Sequence, residues 1–108
     1  MLFDPFVMNG VEFGNRVLRS SVGGRTANYD GTVGPVWKNF EKRFAEGGVG
    51  GIISTTLNVN STRKSPLEYP PISEDRYIEP LRRAIAEIRA TGCRYIVQIG
   101  DPGAATQT

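Results

Sequence analysis

An α/β fold built on a parallel sheet is predicted by three observations on this 108-residue chain. Short apolar runs alternate with stretches of helical periodicity. Each run closes in glycine, serine, threonine or aspartate. The segments between runs are long enough to hold a helix, the spacing that right-handed βαβ crossovers need. The predicted order is a hairpin followed by β, α, β, α, β.

The hairpin comes first. Phe6-Val7-Met8-Asn9-Gly10-Val11-Glu12-Phe13 sets Asn-Gly between two short apolar runs, and that dipeptide accepts the positive φ angles of a two-residue turn. Strand one is predicted over about Arg16 to Ser21. Val17 and Leu18 favour a packed, pleated backbone, and Ser20-Ser21-Val22-Gly23-Gly24 then removes bulk and lets the chain approach a ligand closely. In parallel α/β folds ligands bind at the C-terminal ends of strands, so this run is a candidate pocket wall; on this stretch alone an ordinary β-to-α turn is the favoured account. Strand alternation puts Val17, Arg19 and Ser21 on one face, where Arg19 needs an anionic partner; a structural ion pair is the simpler role.

Pro35 suits the first turn of a helix predicted to run to about Glu46, with Gly47-Gly48 as its stop. Trp37, Phe40 and Phe44 form its apolar stripe, with Lys38, Glu41 and Lys42 on the remaining surface. Val49 to Thr55 reads as strand two, buried on both faces and ending in hydroxyl residues. Thr56 to Ile72 is polar and contains Pro66, Pro70 and Pro71, and it reads as a long ligand-facing loop. A second helix is predicted from near Asp75 to near Ala90, with Tyr77, Leu81, Ala84, Ile85 and Ile88 on its buried side and Pro80 confined to its first turn. Arg94 to Ile99 is strand three, with Cys93 a small apolar filler before it.

Composition narrows the function. Thirteen Lys and Arg against eleven Asp and Glu leave a net charge of +2, too little and too scattered for a nucleic-acid footprint. No stretch approaches the ~18 apolar residues of a membrane span, and the single cysteine fits a reducing compartment, so a cytoplasmic protein is expected. Histidine is absent, which excludes Ser-His triads and histidine metal sites within these residues.

The series Leu2-Phe3 with Pro5, Asn15-Arg16-Val17-Leu18-Arg19-Ser20, Asp30-Gly31, Ala45-Glu46-Gly47-Gly48-Val49-Gly50 running into Ile52-Ile53, and Tyr95-Ile96-Val97-Gln98-Ile99 resembles the N-terminal part of the Old Yellow Enzyme family. These are FMN-dependent NAD(P)H oxidoreductases, including ene-reductases and dienoyl-CoA reductase relatives. The resemblance implies a TIM barrel, (β/α)8, with FMN at its C-terminal mouth and the hairpin closing the other end. At roughly 250 residues for a whole barrel, residues 1–108 would supply an incomplete N-terminal portion of a single FMN-binding domain, about three of eight strands.

By the same resemblance Ser21, Val22 and Gly23 border the flavin after strand one, Thr56 is the small residue after strand two, and Gln98 meets the flavin's pyrimidine edge. An amide answers that edge well, because the edge presents acceptors together with an N–H donor. The strand pattern alone favours Gln98 as an inward-facing polar residue satisfied by a neighbour; the family spacing reverses that preference. The implied reaction passes hydride from NAD(P)H through flavin to an activated alkene or similar small molecule. The family's paired substrate-binding residues, catalytic tyrosine and phosphate-binding arginine belong to later strands, so no catalytic residue is expected here. The implied partner is a second copy or the remainder of a barrel.

Two departures from the family pattern stand out. Asp101 and Ala104 occupy the histidine and arginine positions of the usual His-x-Gly-Arg pattern, and Ser21-Val22-Gly23 stands where many relatives have Pro-Met-Thr or Pro-Leu-Thr. An alternative reading is a non-catalytic barrel segment that self-associates or complements another through open sheet edges.

Overall fold

The Asn9-Gly10 pair turns the chain as expected, with φ of 48° and 77°. It folds β1 (Phe6–Met8) back antiparallel on β2 (Val11–Phe13). After the hairpin come β3 (Leu18–Arg19), α1 (Pro35–Glu46), β4 (Gly51–Ile53) and β5 (Leu57–Asn58). A 3-10 turn at Asp75–Tyr77 then leads into α2 (Ile78–Arg89), β6 (Arg94–Ile96), β7 (Ile99–Gly100) and a last 3-10 turn at Gly103–Ala105. The structure, a computed structural model, describes residues 1–62 and 68–105. Pro66 of the predicted loop lies outside them.

Strands β3, β4 and β6 lie side by side in that order, all parallel. Helices α1 and α2 cover one face. Trp37 and Ala45 from α1, Ala84 and Ile88 from α2, Ile52 from β4 and Cys93 pack into one core, with Ile52 and Ile88 wholly removed from solvent. Burying a side chain of that size contributes about 1.5–3 kcal/mol. Lys38 and Glu87 tie the two helices at 2.6 Å. The opposite face carries Leu18, Ile53 and Ile96, and there Leu18 is 37% exposed.

The hairpin sits against the end of the sheet where the strands begin. Phe13 is buried and stacked on Phe6 at 5.0 Å, and Arg94 Nε donates to the Glu12 carbonyl at 2.7 Å. Asn15 locks the entry to β3: its Oδ1 accepts from the N–H groups of Val17 (3.0 Å) and Gly50 (2.9 Å), and its Nδ2 donates to the Gly48 carbonyl (2.7 Å). One side chain thus fixes the register between β3 and the turn that ends α1.

Several expectations need correction. Strand one is two residues long, because the backbone leaves the ladder at Ser20. Strand three is split into β6 and β7, and the long loop opens with β5, which pairs parallel with β7. The cause is a bulge. Ile53 pairs with Ile96 and Leu57 with Ile99, so three residues, 54–56, oppose two, 97–98. Helix α1 has the predicted bounds, but its fully buried stripe is Trp37, Glu41 and Ala45, while Phe40 and Phe44 are half-buried and meet edge to face at 5.6 Å. Glu41 is therefore an interior residue, not a surface one. The second helix proper begins at Ile78, with Pro80 in its first turn as required.

Candidate functional site

The bulge assembles the site. Ser54 N–H donates to the Ile96 carbonyl (2.8 Å), and its hydroxyl accepts from the Gln98 N–H (2.9 Å), replacing the ladder bond that the extra residue removes. Leu57 N–H then donates to the Gln98 carbonyl at 2.9 Å, which restarts pairing. With its backbone held on both sides, Gln98 extends its amide to Thr56, Nε2 to Oγ1 at 3.0 Å. Two residues predicted separately, Thr56 and Gln98, thus meet at the C-terminal edge of β4 and β6. The Gln98 side chain is exposed and still has a second N–H and a carbonyl oxygen to offer.

Ser21, Val22 and Gly23 follow β3, whose Arg19 is in register with Ile52 of β4, so they leave the sheet at the same end. Ser21 is half-buried; Val22 and Gly23 are exposed. A β-carbon placed on Gly23 would lie 1.7 Å from the Tyr69 hydroxyl, so the ring of Tyr69 fills the space beside this glycine. Asp101 and Ala104 are also exposed at this end, just beyond β7; Asp101 Oδ1 accepts from the Gly103 N–H at 2.7 Å. The aspartate is thus engaged in shaping its own turn.

Behind the bulge lies a buried polar cluster, on the helix side of the sheet. Glu41 Oε1 accepts from the Thr55 N–H at 2.9 Å, and Trp37 Nε1 donates to Thr55 Oγ1 at 3.1 Å. Arg19 reaches over from β3: Nη2 donates to the Ile53 carbonyl (2.8 Å), Nε to the Ser20 carbonyl (3.0 Å), and the guanidinium lies 4.8 Å from the centre of the Phe44 ring. Its Nη2 also lies 2.8 Å from Glu41 Oε2, a charge contact without the alignment of a hydrogen bond. Arg19 therefore has the structural carboxylate partner its position called for, and the Val17-Arg19-Ser21 face turns toward α1. Burial raises the Glu41 carboxyl above its ordinary 4.5, opposed by the Thr55 N–H and Arg19. Burial, with the Glu41 charge adding to it, also drives the Tyr95 phenol strongly upward.

Sequence reasoning missed Ser54, Glu41 and Tyr69. The hydroxyl run Ser54-Thr55-Thr56 carried a signal for the first. Glu41 carried one in its spacing, four residues after Trp37 and three before Phe44 on the apolar side of α1, which its charge masked. For Tyr69 the only signal was the glycine at position 23 in place of a larger residue.

Parallel strands joined by helices on one face, a hairpin under their N-terminal ends and polar side chains gathered at their C-terminal ends define the first arc of a β/α barrel. The chain matches the NADH:flavin oxidoreductase / NADH oxidase family over residues 1–108, and it belongs to that family. Solved structures agree in fold. 2-Naphthoyl-CoA reductase in complex with 2-naphthoyl-CoA superposes with a TM-score of 0.93 at 20% identity, covering 98% of this chain and 16% of that one. Morphinone reductase in complex with tetrahydroNAD gives 0.85 at 21% identity, covering 97% and 28%. The old yellow enzyme from Trypanosoma cruzi gives 0.84 at 25% identity, again covering 97% and 28%. The chain thus spans less than a third of the length of these relatives. A search of curated proteins finds no match.

The fold is accordingly that of the Old Yellow Enzyme TIM barrels, present here as an arc of parallel strands; the described residues close no barrel. No helix among the described residues is long and apolar enough to cross a membrane.

Proposed function

We propose that residues 1–108 form one wall of the FMN site of an NAD(P)H oxidoreductase, as the N-terminal portion of a single barrel domain working in the cytoplasm on a small-molecule acceptor. The observation that carries this reading is the convergence of Thr56 and Gln98 at the bulge, beside the strand-end run Ser21-Val22-Gly23. Gln98 is held by its backbone on both sides and by one amide hydrogen on Thr56, leaving a donor and an acceptor side by side. That pair suits the pyrimidine edge of FMN, which carries both kinds of group. Ser21, Val22 and Gly23 present short side chains and backbone at the strand end, with the Tyr69 ring taking the space beside Gly23.

The chemistry supplied by bound FMN is hydride transfer from NAD(P)H to an acceptor such as an activated alkene. The chain's own residues bind and orient. Gln98 fixes the pyrimidine edge, Thr56 fixes Gln98, and the Glu41 to Thr55 hydrogen bond fixes the backbone that carries Thr56. None of them gives or takes a proton. This wall alone turns over no NAD(P)H; robust oxidation of NAD(P)H by the purified 108-residue chain would contradict that statement.

Replacing Gln98 by Leu tests the reading. Loss of the amide bonds to the ring weakens FMN binding roughly tenfold, as read by quenching of flavin fluorescence in a titration. Equal binding by the two proteins would remove Gln98 from the site.

A second reading is favoured by one observation: among the described residues, the outer edges of β3 and β6 have no strand partner. Open edges and the half-covered Leu18, Ile53 and Ile96 face suit pairing with a second copy or with the complementary part of a barrel.

A further inference from the structure

We propose that Tyr69 is a further cofactor-facing residue, its phenolic hydroxyl standing beside Gly23 in place of a side-chain hydroxyl at position 23. This rests on the reading of Ser21 to Gly23 as a flavin border and adds a residue to it from another part of the chain.

The fit between the two residues is steric and specific. A β-carbon on Gly23 would fall 1.7 Å from Tyr69 Oη, 2.5 Å from Cζ and 2.8 Å from Cε1. Any side chain at position 23 therefore requires the Tyr69 phenol to swing aside. The volume in which a threonine at 23 would hold its β-carbon and hydroxyl is the volume that the Tyr69 hydroxyl occupies.

The delivery is structured. Tyr69 lies in a strap pinned on both sides: Ala27 N–H donates to the Glu68 carbonyl (3.1 Å), and Asn58 N–H to the Pro70 carbonyl (2.9 Å). Ile72 N–H returns a bond to the Asn58 carbonyl (2.9 Å), and Arg25 pairs with Glu68 at 3.3 Å. Asn58, fully buried in β5, also reaches the Tyr69 carbonyl with Nδ2 at 3.4 Å. β5 begins at the residue after Thr56, so the strap is pinned to the strand that directly follows the bulge. A hydroxyl held this way would be available as a donor to an acceptor on the flavin.

The test is an FMN titration of the 108-residue chain, followed by fluorescence and by the visible absorption band, with wild type, Gln98→Leu, Tyr69→Phe, Tyr69→Ala and the double variant Gly23→Thr/Tyr69→Ala. Tyr69→Phe keeps the ring and removes the hydroxyl. It is expected to melt with wild type, bind FMN about fivefold more weakly and return the absorption band toward that of free flavin. Tyr69→Ala is expected to bind at least as weakly as Tyr69→Phe, and adding Gly23→Thr to recover affinity to within about twofold of wild type. A packing role for Tyr69 predicts the reverse: a silent Tyr69→Phe and no rescue by threonine. Either of those results overturns the inference. If wild type itself leaves the flavin spectrum unchanged, the flavin-wall reading falls and takes this inference with it. If wild type binds, Gln98→Leu binds less and Tyr69→Phe is unchanged, only the role of Tyr69 falls.

Discussion

Glu41 has no exposed surface, and its carboxylate joins three elements: α1, which carries it, the Thr55 N–H beyond β4, and Arg19 on β3. Truncating it to Ala leaves a buried guanidinium without its counter-charge and a buried N–H without an acceptor. The expected loss is roughly 3–5 kcal/mol of folding stability, read by urea denaturation. Replacing both partners, Arg19→Met with Glu41→Leu, is expected to recover only the part that comes from the stranded charge, because the Thr55 N–H still lacks its acceptor. The pair also sets a pH dependence. Burial holds the folded carboxyl above the 4.5 of the unfolded chain, so just above pH 4.5 the native state binds more protons than the unfolded state. The proton-linked part of Glu41's contribution is therefore complete below pH 4.5 and is lost as pH rises through the folded pKa. Melting temperatures measured upward from pH 4 are expected to show that fall in wild type and not in Glu41→Ala.

At the scale of elements, helices and hairpin were legible because their determinants are local. Asn9-Gly10 specifies its turn, Pro35 and Gly47-Gly48 bracket α1, and the apolar spacing of Tyr77 to Ile88 marks the buried side of α2. The strands were legible in order but not in length. The bulge at residues 54–56 depends on pairing between segments more than forty residues apart and on the Ser54 hydroxyl answering the Gln98 N–H, which no local pattern encodes. The same limit hid the meeting of Thr56 with Gln98, although each had been singled out alone. Asn15 belongs to the resemblance with the family, and the structure supplies a physical reason for it, three hydrogen bonds that join β3 to the turn after α1. Asn15→Ala is expected to cost about 1–3 kcal/mol, since it leaves the Val17 N–H and the Gly48 carbonyl without this partner while the Gly50 N–H keeps the Val17 carbonyl at 2.9 Å, with the loss visible as faster amide exchange at Val17.

At the scale of the whole molecule, three parallel strands covered on one face are an arc. Its other face shows Leu18, Ile53 and Ile96 half-covered, and Val97 and Ile99 are 44% and 57% exposed. Apolar surface flanked by open edges associates. The chain is expected to elute progressively earlier from a size-exclusion column as its concentration is raised, and elution at the monomer volume throughout would contradict the second reading. The claim that organises the account is that the bulge presents Thr56 and Gln98 to FMN. It is tested most directly by the visible absorption spectrum of flavin as the purified chain is titrated into it. A saturable perturbation of the flavin band that Gln98→Leu weakens is expected; a spectrum that stays that of free flavin at every protein concentration would contradict the assignment of Thr56 and Gln98 to the flavin site.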